Sequence, residues 1–146
     1  MKISTKGRYG LRAMIDLAVY GQKEHIALSL IAERQGISTN YLEQVFSSLR
    51  KAGIVKSIKG AQGGYMLSKP AHTISVKHIL TILEGSLNLI DTMPLDKETP
   101  LQKCIQRLVW REMNEALDSI VDTVMLEDLA DNYRHKMGIS QTMFYI

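Results

Sequence analysis

The chain has a single cysteine among its 146 residues, so no disulfide can form within it. Its three prolines and ten glycines are too few for a collagen-like or low-complexity segment. Charged residues break every apolar run before the roughly 18 residues that a membrane span needs, and the opening residues lack the apolar core of a signal peptide. These absences favour a cytoplasmic protein that has no membrane partner.

The composition predicts a folded chain with an unequal charge distribution. Hydrophobic residues make up 45% of the chain and charged residues 23%, which is typical of globular proteins. The first 75 residues carry eleven Lys and Arg against four Asp and Glu, whereas the rest carries seven against eleven. This asymmetry favours nucleic-acid binding by the first half. Two differently solvated faces are the alternative interpretation.

Three helices are predicted before residue 53. The first, from Ser4 to Tyr20, has one apolar stripe at helical spacing, formed by Leu11, Met14, Ile15, Ala18 and Val19. We expect Ser29 to cap a short second helix that ends at Gly36. We expect Ser38 to cap a third helix, which runs to about Ala52.

The third helix has two faces with different chemistry. Its buried stripe is predicted to consist of Leu42, Val45, Phe46 and Leu49. Its other side carries Asn40, Tyr41, Gln44 and Ser48. An α-helix fits the DNA major groove, and side chains of this kind reach base edges from it. An ordinary solvated helix face is the alternative.

A β-hairpin is predicted directly after this helix, with strands over Ile54–Lys59 and Tyr65–Ser68 and a glycine-rich turn at Gly60–Gly64. Lys56 and Lys59 supply positive charge for phosphates, and the tip carries Gln62, Gly63 and Gly64, where backbone with few side chains can approach DNA closely. Three helices followed by a basic hairpin predict a winged helix-turn-helix. The expected fold class is therefore mainly α with a small β-hairpin.

The second half begins with a fourth helix, predicted from the Ser75 cap to Gly85. An irregular segment over residues 86–98 follows. Thr99, Pro100 and Gln102 then form a capping-box start for a helix of roughly 40 Å. We therefore divide the chain into a winged helix-turn-helix domain (1–85), a linker and candidate effector region (86–98), and a dimerisation helix with a C-terminal tail (99–146).

The long helix, which is expected to run to about Val124, carries an apolar stripe too wide for an isolated surface helix. We assign to dimerisation Ile105, Leu108, Val109, Met113, Ala116, Leu117, Ile120, Val121 and Val124. The same helix of a second subunit, related by a two-fold axis, is the expected partner. Packing of this stripe on its own domain is the alternative. A short helix over Leu126–His135 and an apolar tail follow.

Four stretches resemble the Rrf family of bacterial winged-helix regulators: residues 1–10 (MKISTKGRYG), 37–44 (ISTNYLEQ), 49–55 (LRKAGIV) and 59–65 (KGAQGGY). The resemblance covers nearly the whole chain. It implies a homodimeric transcriptional regulator, usually a repressor, that binds a roughly two-fold symmetric operator in double-stranded DNA.

The family resemblance also implies DNA contacts at particular residues. On the third helix these are Ser38, Thr39, Asn40, Tyr41 and Gln44, with Glu43 able to accept a hydrogen bond from a cytosine amino group. In the wing they are Lys59, Gly60, Gly63 and Gly64. At the start of the first helix, Ser4, Lys6 and Arg8 are expected near the DNA backbone.

Several members of this family hold an iron-sulfur cluster through three cysteines that precede or begin the long helix. Cys104 resembles the last of these, and Arg107 stands where one member has a histidine ligand. One thiolate per subunit cannot hold a cluster that needs about four donors, so we expect no cofactor. We expect no metal either, because the four histidines lack the spacing of zinc ligands. Cys104 is expected to be partly buried and inert, with redox sensing as the alternative.

Without a cluster, the chain resembles the CymR-type members most. These regulate sulfur and cysteine metabolism through a partner, the cysteine-synthesis enzyme O-acetylserine thiol-lyase, and Tyr145 and Ile146 resemble the C-terminus that this enzyme captures. A redox- or ligand-responsive regulator of another stress or iron-sulfur regulon is one alternative, and a winged helix that binds RNA or protein is another. No spacing of residues predicts catalysis, so we do not expect an enzyme.

Overall fold

A computed structural model describes residues 2–91 and 93–139. In these ranges the helices are α1 (Thr5–Tyr20), α2 (Leu28–Gln35), α3 (Thr39–Lys51), α4 (Val76–Glu84), α5 (Pro100–Ile105), α6 (Arg111–Thr123) and α7 (Leu126–Lys136). The strands are β1 (Val55–Ile58) and β2 (Gly64–Leu67), and short 3-10 turns lie at Ala71–Thr73 and Leu95–Lys97. The predicted fold class is confirmed. No helix of the described ranges is long and apolar enough to cross a lipid bilayer.

The helix ends follow local chemistry, with one exception. The Ser38 hydroxyl accepts a hydrogen bond from the Tyr41 amide, and Gly36 ends α2 in the left-handed region at φ +64°. Ser29 is not a cap, because α2 begins at Leu28, after an Ala27 cap whose side chain makes no capping bond. Because the Leu28 side chain is buried in the core, the helix begins at Leu28 and Ser29 lies inside it.

The hairpin strands pair antiparallel, from Val55 opposite Leu67 to Ile58 opposite Gly64. β1 is shorter than predicted, whereas β2 has the predicted length but begins and ends one residue earlier. The connection between α1 and α2 runs beside β2, where Ile26 and Tyr65 exchange two backbone hydrogen bonds of 2.8 Å each. The hairpin, which we call the wing, is therefore anchored on one side by a segment that sequence periodicity did not identify.

The main core surrounds α1. Met14 and Leu17 of α1, Phe46 of α3 and Leu126 of α7 are all fully buried in it. Because α7 shares this core, the packing crosses the domain boundary predicted at residue 85. The division at that residue stays a prediction about function and does not separate two cores.

The long helix is interrupted, contrary to the sequence prediction. A π-helical turn, Gln106–Trp110, joins α5 to α6, and the Arg111 amide donates to the Gln106 carbonyl five residues earlier. The backbone stays right-handed and helical on both sides of the turn. We therefore call the rod formed by α5, the π turn and α6 the long helix.

Part of the predicted dimerisation stripe packs inside the subunit. Val121 is buried against Val76 and Leu80 of α4, and Leu117 and Val124 pack on the same small cluster. Because α4 offers α6 an apolar face, these three residues have a packing partner within the subunit, and their place in a seam between subunits stays a prediction. The other six residues of the stripe remain exposed in the single subunit.

Candidate nucleic-acid interface

The helix-turn-helix is held together by a buried carboxylate of α1. Asp16 is buried and accepts hydrogen bonds from Arg34 at 2.9 and 2.7 Å and from Gln35 at 2.9 Å. The Asp16 carboxylate raises the pKa of the Arg34 guanidinium, mainly through the hydrogen bond between them. Because both donors to Asp16 lie at the end of α2, this network fixes α2 on α1, and α3 packs against both helices.

A first groove lies between the start of α1 and the outer face of α3. It is lined by Lys6, Asn40, Glu43, Gln44, Ser47, Ser48 and Lys51. The Lys6 ammonium donates to the Ser48 hydroxyl across it at 3.2 Å. The structure thus brings Lys6, Asn40, Glu43, Gln44 and Ser48 together, as a common DNA-contacting surface requires. We call this the α1–α3 groove.

A second groove adjoins it, between α3 and the wing. From α3 and the wing it is lined by Glu43, Ser47, Arg50, Ser57, Ile58, Lys59, Gly63, Gly64 and Tyr65. Glu43 and Ser47 line both grooves and so form the ridge between them. Apart from Ile58 and Tyr65, the side chains that α3 and the wing place here are polar or charged, with Glu43 as the acidic one. We call this the α3–wing groove.

The wing glycines are required by the fold itself. A Cβ atom on Gly64 would overlap the Ile26 carbonyl, and one on Gly63 would overlap the Ile58 carbonyl. Gly60 adopts φ +121°, a conformation that favours glycine. From the sequence, these glycines were expected to let bare backbone approach DNA closely. The fold gives a second reason for glycine at all three positions.

Several predicted contacts lie outside both grooves. Ser4 caps α1, and its amide and hydroxyl both donate to the Glu84 carboxylate, at 2.9 and 2.5 Å, so its donors are already used. Arg8 is exposed and bonded to Thr5, and Lys56 points to the opposite face of β1 from Ser57. The proposed roles of Ser4, Arg8 and Lys56 in DNA binding stay predictions.

The first turn of α3 is packed more tightly than its polar sequence suggests. The Tyr41 ring is half-buried and lies edge-on to the ring of Tyr9, with 5.9 Å between centroids. The Arg12 guanidinium stacks over the Tyr9 ring, with its Cζ atom 5.2 Å from the ring centroid. Ser38 is exposed, Thr39 is half-buried and Gln62 is exposed at the wing tip. Tyr41 is therefore as much a packing residue as a candidate DNA contact.

Sequence reasoning missed several residues of this surface. Ser47, Arg50 and Lys51 line the grooves, and their positions on the outer face of a basic helix end could have identified them. His25 was assigned no role, yet its ring Nε2 donates to the backbone carbonyl of Gln62 at the wing tip. No sequence signal predicts that contact, because the two residues lie 37 positions apart.

Metal-ligating chemistry is sparse in the described ranges. Cys104 is exposed, so the expectation of partial burial is wrong: α5 projects beyond the core. Within residues 2–91 and 93–139, no three His, Cys, Asp or Glu side chains lie together as a ligand set for a metal ion. Tyr145 and Ile146, the residues expected to bind a partner, lie outside the described residues.

Comparison with known proteins places the chain in a family. A model described as Rrf2, iron-dependent transcriptional regulator, matches residues 3–132. The transcriptional regulator IscR of Yersinia enterocolitica is 37% identical over 132 residues, which cover 90% of this chain and 80% of that protein. The ligand chemistry described above does not fit the iron centre that the family description implies, since a cluster requires several soft donors.

Two solved structures resemble this chain in both sequence and fold. CymR, the global cysteine regulator of B. subtilis, is 40% identical with a TM-score of 0.78, covering 90% of this chain and 98% of that one. IscR of T. potens is 38% identical with a TM-score of 0.75, covering 99% and 97%. With its two adjoining grooves and anchored wing, the chain belongs to the Rrf2 family of winged helix-turn-helix transcriptional regulators.

Proposed function

We propose that the protein is a homodimeric repressor that reads a roughly two-fold symmetric operator with α3 and the wing of each subunit. The observation that carries this proposal is the pair of adjoining grooves. In them, hydrogen-bonding side chains such as Asn40 and Gln44 stand beside cations such as Lys6 and Lys59. Amides of this kind read base edges, and lysines neutralise phosphates.

Dimerisation is supported by the apolar residues left uncovered on the long helix. Leu101, Ile105, Leu108, Val109, Met113 and Ile120 are each more than a third exposed, and Leu101 reaches 71%. A contiguous apolar surface of this extent marks an interface. A second copy is the natural partner, because a two-fold axis also gives two half-sites about one helical turn of DNA apart, or a multiple of that.

We further propose that the protein works without an iron-sulfur cluster and regulates sulfur and cysteine metabolism. The absence of clustered ligands in the described ranges supports the first statement, and the likeness to CymR, named as a global cysteine regulator, supports the second. The likeness to IscR proteins keeps an iron-sulfur regulon as the alternative. The exposed Cys104 keeps a redox-responsive regulator as another.

The thiol-lyase of cysteine synthesis remains a proposed partner through Tyr145 and Ile146. An apolar side chain beside a free α-carboxylate is the chemistry that an anion-binding nest captures. Deleting Ile146 removes the apolar side chain and moves the α-carboxylate to Tyr145, so it should abolish binding of that enzyme measured by calorimetry while leaving DNA affinity unchanged.

A small-molecule signal through residues 86–98 is the second candidate for regulation. A cavity of about 150 Å³ lies between this region and the long helix, lined by Ile90, Asp91, Glu98, Ile105, Gln106 and Trp110 among others. Trp110 is the sole tryptophan of the chain, so its fluorescence would report a ligand that enters.

The central experiment is selection of genomic fragments by protein purified with a chelator, followed by binding titrations of the selected duplex at several salt concentrations. We expect iron-free protein to bind, with affinity falling steeply as salt rises because lysines displace counterions from phosphates. An RNA helix of the same sequence should bind far more weakly. Equal affinity for RNA, or a requirement for iron, would contradict the proposal.

A further inference from the structure

The tip of the wing lies beyond the paired strands. The last paired residues are Ile58 and Gly64, and residues 59–63 connect them. Within the tip, one backbone hydrogen bond joins the Gly63 amide to the Gly60 carbonyl at 2.9 Å. An isolated two-stranded hairpin is at best marginally stable in water. The position of Lys59, which borders the α3–wing groove, therefore depends on contacts from outside the hairpin.

The connection between α1 and α2 provides those contacts in two steps. Next to the last strand pair, Ile26 pairs with Tyr65 through two backbone bonds, and Gly64 lies directly against the Ile26 carbonyl. Further out, the ring of His25 donates from Nε2 to the carbonyl of Gln62. His25 thus reaches past the last strand pair and holds the tip itself.

The direction of this bond follows from its acceptor. A backbone carbonyl has no proton to give, so Nε2 of His25 must carry the hydrogen. That condition is met both by the protonated ring and by one neutral tautomer. The contact therefore needs a donor of suitable length at this position, and it does not need a positive charge.

We propose that His25 is a positioning residue for DNA binding: it orders the wing tip so that Lys59 and the tip backbone are already in place before DNA arrives. An unordered tip has to be fixed on binding, and that cost reduces affinity. The inference rests on the proposed function, since a wing needs ordering only if it meets a ligand. The observed contact of His25 is with the wing, at the carbonyl of Gln62.

The first test measures the free protein. In His25→Ala, amide hydrogen exchange should accelerate at Gly63, the amide that is bonded within the tip, and stay unchanged in α3, because local opening reports loss of local contacts. His25→Gln keeps a side-chain donor and should restore slow exchange. The matched control is His72→Ala, which removes an exposed histidine from the turn after the wing. Unchanged exchange at the tip in His25→Ala would overturn the proposal without bearing on the proposed function.

The second test measures operator affinity. His25→Ala should weaken binding about three- to tenfold for each wing, the range that one net hydrogen bond supplies, and His25→Gln should recover most of it. If His25 acts through the tip, its effect should shrink when Lys59 is already alanine. Full additivity of His25→Ala and Lys59→Ala would contradict the proposal. If the wild-type protein bound no duplex at all, the proposed function would fail first.

Discussion

At the scale of single residues, Gln44 and Lys59 lie on the two grooves with different chemistry. Gln44 presents an amide on the outer face of α3, and Lys59 presents a charge at the wing. We expect Gln44→Ala to cost about 1 to 3 kcal/mol on the selected operator and far less on random DNA, because base contacts carry specificity. Titration of both duplexes with each variant measures the difference.

Lys59→Ala is the matched comparison for Gln44→Ala. It should weaken all duplexes together and reduce the salt slope by about one, since a phosphate contact carries no sequence information. Equal losses of the Gln44 variant on operator and random DNA would show that Gln44 makes no base contact.

His78 gives the folded protein a pH dependence. It is half-buried on α4, and burial, followed by the nearby Lys69, lowers its pKa below the ordinary value of 6.5. The unfolded chain therefore binds a proton at higher pH than the folded one, so His78 makes stability fall as pH drops through about 6.5 and below. In His78→Gln, the free energy of unfolding, measured by urea denaturation from pH 7.5 to 5, should depend less on pH.

His72 supplies the control for that measurement. It is exposed, so His72→Gln tests whether the loss of any histidine, buried or not, produces the same change as His78→Gln. An identical slope for the His78 variant and the wild type would show that the burial of His78 has no energetic consequence.

At the scale of elements, the long helix separates two kinds of apolar residue that look alike in sequence. Ile120 is 63% exposed, whereas its neighbour Val121 is 9% exposed and packs on α4. We expect Ile120→Asp to yield a folded monomer, because it places a charge in the proposed seam. Val121→Asp should instead lower the melting temperature of the subunit. Sedimentation and thermal denaturation distinguish the two.

Arg111→Asp is the matched control, because Arg111 precedes Ile120 by nine residues, or about two and a half turns of the helix. The same carboxylate then lies on the side opposite Ile120, and the dimer should persist. An Ile120→Asp protein that sediments as an intact dimer would place the interface elsewhere.

The elements themselves were predictable where the chemistry is local. Ser38, Ser75 and Thr99 cap their helices as expected, since a cap depends on residues two or three positions away. The assignment of Ser29 failed because the burial of Leu28 moved the start of α2. The π turn carries no local signal that distinguishes it from continuous helix.

At the scale of the whole molecule, the described residues share one principal core that both α1 and α7 enter. Arg134 of α7 is buried and bonds to the Ala18 carbonyl of α1 at 3.1 Å, with Glu127 and Asp131 as ionic partners. Contacts across more than a hundred residues leave no periodic trace in the sequence. The contact between His25 and the wing could not be predicted for the same reason. The opposite charges of the two halves are a property of composition, and they did suggest which half binds DNA.

The π turn sets the rotational phase of the long helix. Leu101, Ile105, Val109 and Met113 follow each other at intervals of four, so in an uninterrupted α-helix each would lie about 40° further round than the last, about 120° in total. The π turn is wider and accommodates roughly one extra residue. It therefore rotates the helix before the turn by about 100° relative to the helix after it, in the direction that offsets this drift. The four side chains then line up almost parallel to the helix axis, so two antiparallel copies can meet along a straight seam without coiling around each other.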